Sequence, residues 1–183
     1  MAEPVTLAEA RSQVNIVDAG DTTFDTFLTS LLAPARSYVE RCTRFFWVAA
    51  TRTETFGAWG DFLEIYRRPI ASVDSIFYGP VGDNTDTEYT GFVAPIARFP
   101  LRIYPAADDS FPDLNDGEVV TVTYTSGALS STSEEYLIGK RAMLLLIGHW
   151  FQFREAAASG IVSNEIAFAV SSLLDELGPV SAY

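Results

Sequence analysis

At 183 residues, with 48% apolar and 20% charged side chains, the chain has the profile of a folded protein with a sizeable core and not of a disordered one. Its net charge of −12, from 24 acidic and 12 basic residues, argues against a duplex-gripping surface, because such binding needs clustered Lys and Arg to displace counterions. The imbalance deepens toward the C-terminus: from Phe111 onward only Lys140, Arg141 and Arg154 are basic, against nine acidic side chains. Solubility explains this charge, and so does a wall past which DNA moves without sticking; charge alone does not choose between them. Cys42 is the only cysteine, which rules out an intrachain disulfide or a cysteine zinc cluster and suits a reducing cytoplasm. Met1–Leu7 has neither the basic start nor the apolar run of a signal peptide, and no transmembrane segment is expected.

Thr6-Leu7-Ala8-Glu9 has capping-box spacing and predicts a short helix to about Val14. A turn at Asp18–Asp21 then leads to a longer helix, with Asp21 or Thr22 as the expected cap. Phe24, Phe27, Leu28, Leu31, Leu32, Ala35, Val39 and Cys42 recur at helical spacing as far as about Thr43, and Pro34 inside this run predicts a kink or a break. After Phe45 the character changes. Trp47–Phe56, Phe62–Tyr66, Ser72–Tyr78, Leu101–Tyr104 and Glu118–Thr125 read as strands, separated by Gly, Pro, Asp and Asn. Thr132 and Glu135 repeat the capping-box spacing and open a helix to about Ala157, and Ala167–Leu177 forms a last short one.

The helix around Ile138–Ala156 is unusual. Ala142 to Ile147 are apolar without interruption, so every direction around the axis is greasy, yet the run is far short of the roughly 20 residues that span a bilayer. Such a helix must be covered by protein on several sides, as the central rod of a domain or against another subunit. The expected fold class is α+β: a helical bundle built from 5–45 and 132–178, with a β-rich insertion at 47–125, together one domain over 1–183.

No catalytic, cofactor-binding or metal-ligating set emerges. His149 is the only histidine, and a triad would have to use it as base; its place between Gly148 and Trp150 on the greasiest helix suits a core residue better. The acidic run Asp108, Asp109, Asp113, Asp116 and Glu118 misses the spacing of a helix–loop–helix calcium loop and opens a strand, so it reads as a solvated loop ending in a hairpin turn. Glycine-rich phosphate loops are absent. Thirteen Phe, eight Tyr and three Trp lack the interleaved cations that base stacking requires, and Arg67-Arg68 is too small a patch.

Several segments together resemble the head–tail connector (adaptor) proteins of tailed bacteriophages, including the longer members with a β insertion and the adaptors of gene transfer agents. The start Glu3–Ala10, the helix Thr26–Arg44 with its Ala35-Arg36 and Val39-Glu40 steps, Arg68–Ile76, Val120–Gly127 and the string His149-Trp150-Phe151-Gln152-Phe153-Arg154-Glu155-Ala156 are similar to that family's motifs in order and spacing. Pro34, Arg44-Phe45 and the tail from Leu173 depart from its pattern.

The resemblance implies a non-enzymatic structural protein of the virion neck, made in the bacterial host cytoplasm. It would form a ring, usually dodecameric, between the portal protein and a stopper or tail-completion protein, and extend a channel through which double-stranded DNA passes without specific binding. Cofactors and membrane contact are not implied. Portal contact is implied for the C-terminal region, with Asn164, Phe168, Leu173, Leu174, Leu177 and Tyr183 as candidates. His149, Trp150, Arg154 and Glu155 are expected to fix packing and helix ends. Two alternatives stand beside this reading: a tail-completion or stopper protein one layer further down, and a ligand- or receptor-binding module that would need Trp47, Trp59 and Tyr66 as an open aromatic platform.

Overall fold

The computed structural model describes residues 3–80, 87–153 and 164–177. The chain divides into two compact units, one from 1–48 with 129–183 and the other from 49–128. The first is helical, the second a pair of antiparallel sheets, so the fold is α+β as the sequence predicts.

In the helical unit, α1 (Leu7–Gln13) starts at the expected capping box. The Thr6 hydroxyl accepts the Glu9 amide at 3.3 Å, and the Glu9 carboxylate accepts the Thr6 amide at 2.9 Å. Helix α2 (Asp25–Thr43) begins differently from expectation: its cap is Phe24, without a side-chain cap bond. Asp21 is occupied instead in a turn of its own, where its carboxylate accepts the Thr23 amide at 3.0 Å. The start is anchored by Arg11, which donates to the Asp18 and Asp21 carbonyls and pairs with Asp25 at 3.3 Å. Pro34 does not break the helix. It sits on the exposed face, so the Ser30 carbonyl that it leaves without an amide is open to water.

Helix α3 (Glu134–Gln152) is capped by Ser133, whose hydroxyl accepts the Tyr136 amide at 3.2 Å. Thr132 does not cap it because its hydroxyl pairs with Ser130 at 3.0 Å. The expected continuation to Ala157 lies outside the described residues. The greasy run is the rod of the bundle: Ala142, Met143, Leu146 and Ile147 are buried, and Leu144 and Leu145 are half-buried against the same core. Around it pack α1, α2 and α4 (Asn164–Glu176), which supply Ala10, Leu28, Ala35, Val39, Val170 and Leu174. Among the described residues no helix is long and apolar enough to cross a membrane.

The β unit contains β1 (Ala50–Phe56), β2 (Leu63–Ile65), β3 (Ile70–Pro80), β4 (Thr87–Glu88), β5 (Phe92–Val93), β6 (Leu101–Pro105) and β7 (Glu118–Ser126). Two sheets result, ordered β1-β7-β3-β4 and β2-β6-β5. Strands β4 and β5 were not anticipated, since two residues are too few to show a period. Strand β7 alternates as its sequence demands: Val120, Val122, Tyr124 and Ser126 are buried, while Thr121, Thr123 and Thr125 take the other face. Leu63, Ile65, Leu101 and Ile103 form the buried side of the smaller sheet.

Candidate functional site

The described part of the family-like string, His149 to Phe153, ends α3 and packs within the bundle. Phe151 meets Phe24 edge-on at 5.2 Å and Phe27 at 6.2 Å, joining α3 to the start of α2. Trp150 is half-buried against the bundle core. His149 lies 4.8 Å from the Phe153 ring and borders a hollow of about 270 Å³ shared with Gln13, Val14, Asn15, Gly148, Phe151 and Gln152. Its Nδ1 is buried without a hydrogen-bond partner among the described residues. The residues lining that hollow include no serine, cysteine or carboxylate, so the imidazole has no nucleophile or orienting acid beside it there. Arg154 and Glu155 lie outside the described residues.

The C-terminal helix and its end turn Val170, Leu173, Leu174 and Leu177 toward their own bundle. Val170, Leu174 and Leu177 are buried in the core, and Leu173 is half-buried against it. The spacing 170, 173, 174, 177 is therefore an intramolecular seam. What α4 shows to solvent among its described side chains is Ala169, Ser171, Ser172, Asp175 and Glu176. The side chains of Asn164 and Phe168, and all of Tyr183, lie outside the described part.

The aromatic platform required by the ligand-binding alternative is not present. Trp47 is 3% exposed and belongs to the helical unit, where its indole packs edge-on to Phe45 at 5.9 Å. It also fills the space over Gly139, where any Cβ would overlap the ring. Trp59 is 7% exposed, stacked on Phe111 at 4.6 Å and flanked edge-on by Tyr78 and Tyr89. Tyr66 is half-buried with its hydroxyl held by Glu64. Trp59 is covered because it forms an aromatic cluster with Tyr78, Tyr89 and Phe111 inside the β unit.

The acidic loop is held by its own contacts. Glu118 accepts the Asn115 amide at 2.8 Å and the Asn115 side chain at 3.0 Å, and these bonds hold its carboxyl below the ordinary range. Asp109 accepts from the Tyr89 hydroxyl at 3.2 Å. Among the described residues no group of three or more His, Cys, Asp or Glu is placed to hold a metal ion. The loop and Gly57–Gly60 border an open hollow of about 470 Å³.

Sequence reasoning missed the polar tie beneath the bundle. Arg36 binds Glu3 at 2.7 Å and Glu40 at 3.0 Å, and Glu40, only 6% exposed, also accepts the Trp47 amide at 3.1 Å. Burial opposes the Arg36 charge, but hydrogen bonding and attraction from Glu3 and Glu40 outweigh it and hold its pKa above the usual value. The Ala35-Arg36 and Val39-Glu40 steps thus acquire a physical meaning. Ala35 and Val39 enter the core, while Arg36 and Glu40 fasten the N-terminal segment and the chain leaving α2. A second tie, Lys140 to Glu9 at 2.7 Å, links α3 to α1.

The architecture recurs in solved particles. This chain aligns over its full length with a chain from the neck of an empty gene transfer agent (GTA) particle computed with C6 symmetry, at 20% identity and a TM-score of 0.71, covering 95% of that chain. It aligns likewise with a chain of the virion of a native GTA particle (19%, 0.69, covering 95% of that chain) and with one from the neck of a native GTA particle computed with C12 symmetry (19%, 0.65, covering 96%). No protein-family model and no curated protein sequence matches the chain. The shared property is the fold, over the whole of this chain and 95–96% of each of those chains.

Proposed function

We propose that this chain is a non-enzymatic structural subunit of the neck of a phage-like particle, and within the neck an adaptor ring between portal and stopper. The observation that carries it is the fold match over the whole chain, bundle and β insertion together, to chains from GTA necks and virions. The C6 and C12 symmetries of those necks support self-association into a closed cyclic ring, a dodecamer in this proposal. Double-stranded DNA would pass through the channel unbound, in keeping with the net charge of −12.

Portal contact is assigned to α4 and the residues after it, and Leu173 with the exposed Ser171, Ser172, Asp175 and Glu176 are its accessible part. Leu174 and Leu177 would serve that contact indirectly, by seating α4 on the bundle. Truncation after Leu177, combined with Asp175→Lys and Glu176→Lys, tests this. The bundle should keep its melting temperature while joining to portal-bearing heads is lost; unchanged joining contradicts the assignment. Copy number separates adaptor from stopper: quantitative mass spectrometry of purified particles should find about twelve copies per portal, in the layer touching it.

A further inference from the structure

Strand β1 is the long open edge of the larger sheet. It pairs with β7 in unbroken register from Ala50↔Ser126 to Phe56↔Val120, and no other strand lies beside it among the described residues. The edge at the far side of that sheet, β4, has two residues, whereas β1 has seven, without proline or bulge. Ala50 directs its amide and carbonyl to the Ser126 hydroxyl on the β7 side, at 3.0 and 3.1 Å. Backbone groups alternate along a strand, so Thr51, Thr53 and Thr55 direct theirs to the open side. Among the described residues no backbone bond from outside the ladder reaches these three. Their side chains are exposed as well.

Charge on an edge ordinarily discourages pairing. Here its pattern does something different. Arg52 and Glu54 lie on one face, two residues apart, each held in place by β7: Arg52 Nε donates to Ser126 at 3.3 Å, and Glu54 accepts from the Tyr124 hydroxyl at 2.8 Å. We propose that β1 is a self-complementary docking edge for a second copy of this chain, pairing antiparallel with β1 of that copy about a two-fold axis through Thr53.

In that register Arg52 faces Glu54 of the second copy, twice over, and Ala50 faces Phe56. The threonines meet in a ladder on the opposite face, and the outward amides and carbonyls of Thr51, Thr53 and Thr55 all bond across the axis. The neighbouring registers that keep these groups paired are centred on Arg52 or Glu54. Each sets two like charges directly opposite and is disfavoured. The contact is isologous and closes on two copies, so it differs from the head-to-tail contacts of a ring and does not depend on the neck reading.

The test is sedimentation velocity of the full chain over a concentration series, with four variants. Wild type should show a concentration-dependent dimer. Arg52→Glu and Glu54→Arg should each weaken it tenfold or more, because one places four acids and the other four bases at the junction. Mixing those two variants should restore a dimer, as should the double exchange Arg52→Glu/Glu54→Arg. Thr53→Pro removes an outward amide that the fold does not use, so it should abolish the dimer at unchanged melting temperature. A wild type that sediments without a dimer at any concentration overturns the proposal. A dimer unmoved by Thr53→Pro or by the charge variants does so equally.

Discussion

The helical unit and the β unit dispose of their sticking surfaces in opposite ways. In the bundle α3 and α4 turn apolar side chains inward, Met143, Ile147, Val170 and Leu174 all belonging to one core, while Leu137 of α3 stays exposed. In the β unit Trp59 and Tyr124 are buried in turn, but among the described residues the larger sheet ends at β1 with no strand beside it. Hydrophobic area is satisfied by any well-packed neighbour, whereas an edge is satisfied only by another strand in register. A second copy docking on β1, as proposed above, would therefore have to read its backbone.

Substitutions rank this contrast from its largest expected effect downward. Ile147→Ala hollows the rod of the bundle and should cost about 3–4 kcal/mol in denaturant unfolding. Glu40→Ala leaves Arg36 with half its partners and the Trp47 amide without its acceptor, for a loss of about 2–3 kcal/mol. Gly139→Ala forces a methyl against the Trp47 indole and should cost about 1–3 kcal/mol, read together with a change in tryptophan fluorescence.

Lys140→Met is smaller still. Burial opposes ionisation of Glu9, but hydrogen bonds from Lys140 and Thr6 and the Lys140 charge win, so its carboxyl titrates below the ordinary range. A carboxyl with a depressed folded pKa stabilises above its unfolded value, and that contribution is lost as pH falls through the folded one. The Lys140→Met deficit, under about 1 kcal/mol at neutral pH because both groups are partly exposed, should therefore shrink in thermal melts as pH falls below the ordinary glutamate range and through the lower folded pKa of Glu9.

Periodicity and composition made much of the fold legible. The unbroken run Ala142–Ile147 demanded cover, from its own domain or another subunit, Thr6 and Glu9 announced their own capping box, and β7 showed its alternation outright. The misses have physical causes, some local and some distant in sequence. Asp21 and Thr132 have capping chemistry, but a turn claims one and Ser130 the other. Trp47 reads as strand by composition, yet it fills the space over Gly139, nearly a hundred residues later in the chain. The Glu3–Arg36–Glu40 tie spans 33 residues at its longer arm, and no spacing rule reaches that far. For the candidate site, Leu174 and Leu177 stood as portal-contact candidates, but an apolar side chain on a helix does not tell whether its cover is the same chain or a partner.

The most direct measurement is electron microscopy of the purified protein mixed with portal from the same particle. A neck adaptor predicts closed cyclic rings stacked coaxially on the portal, in register with its symmetry. Portal particles that remain bare at saturating protein would contradict the account.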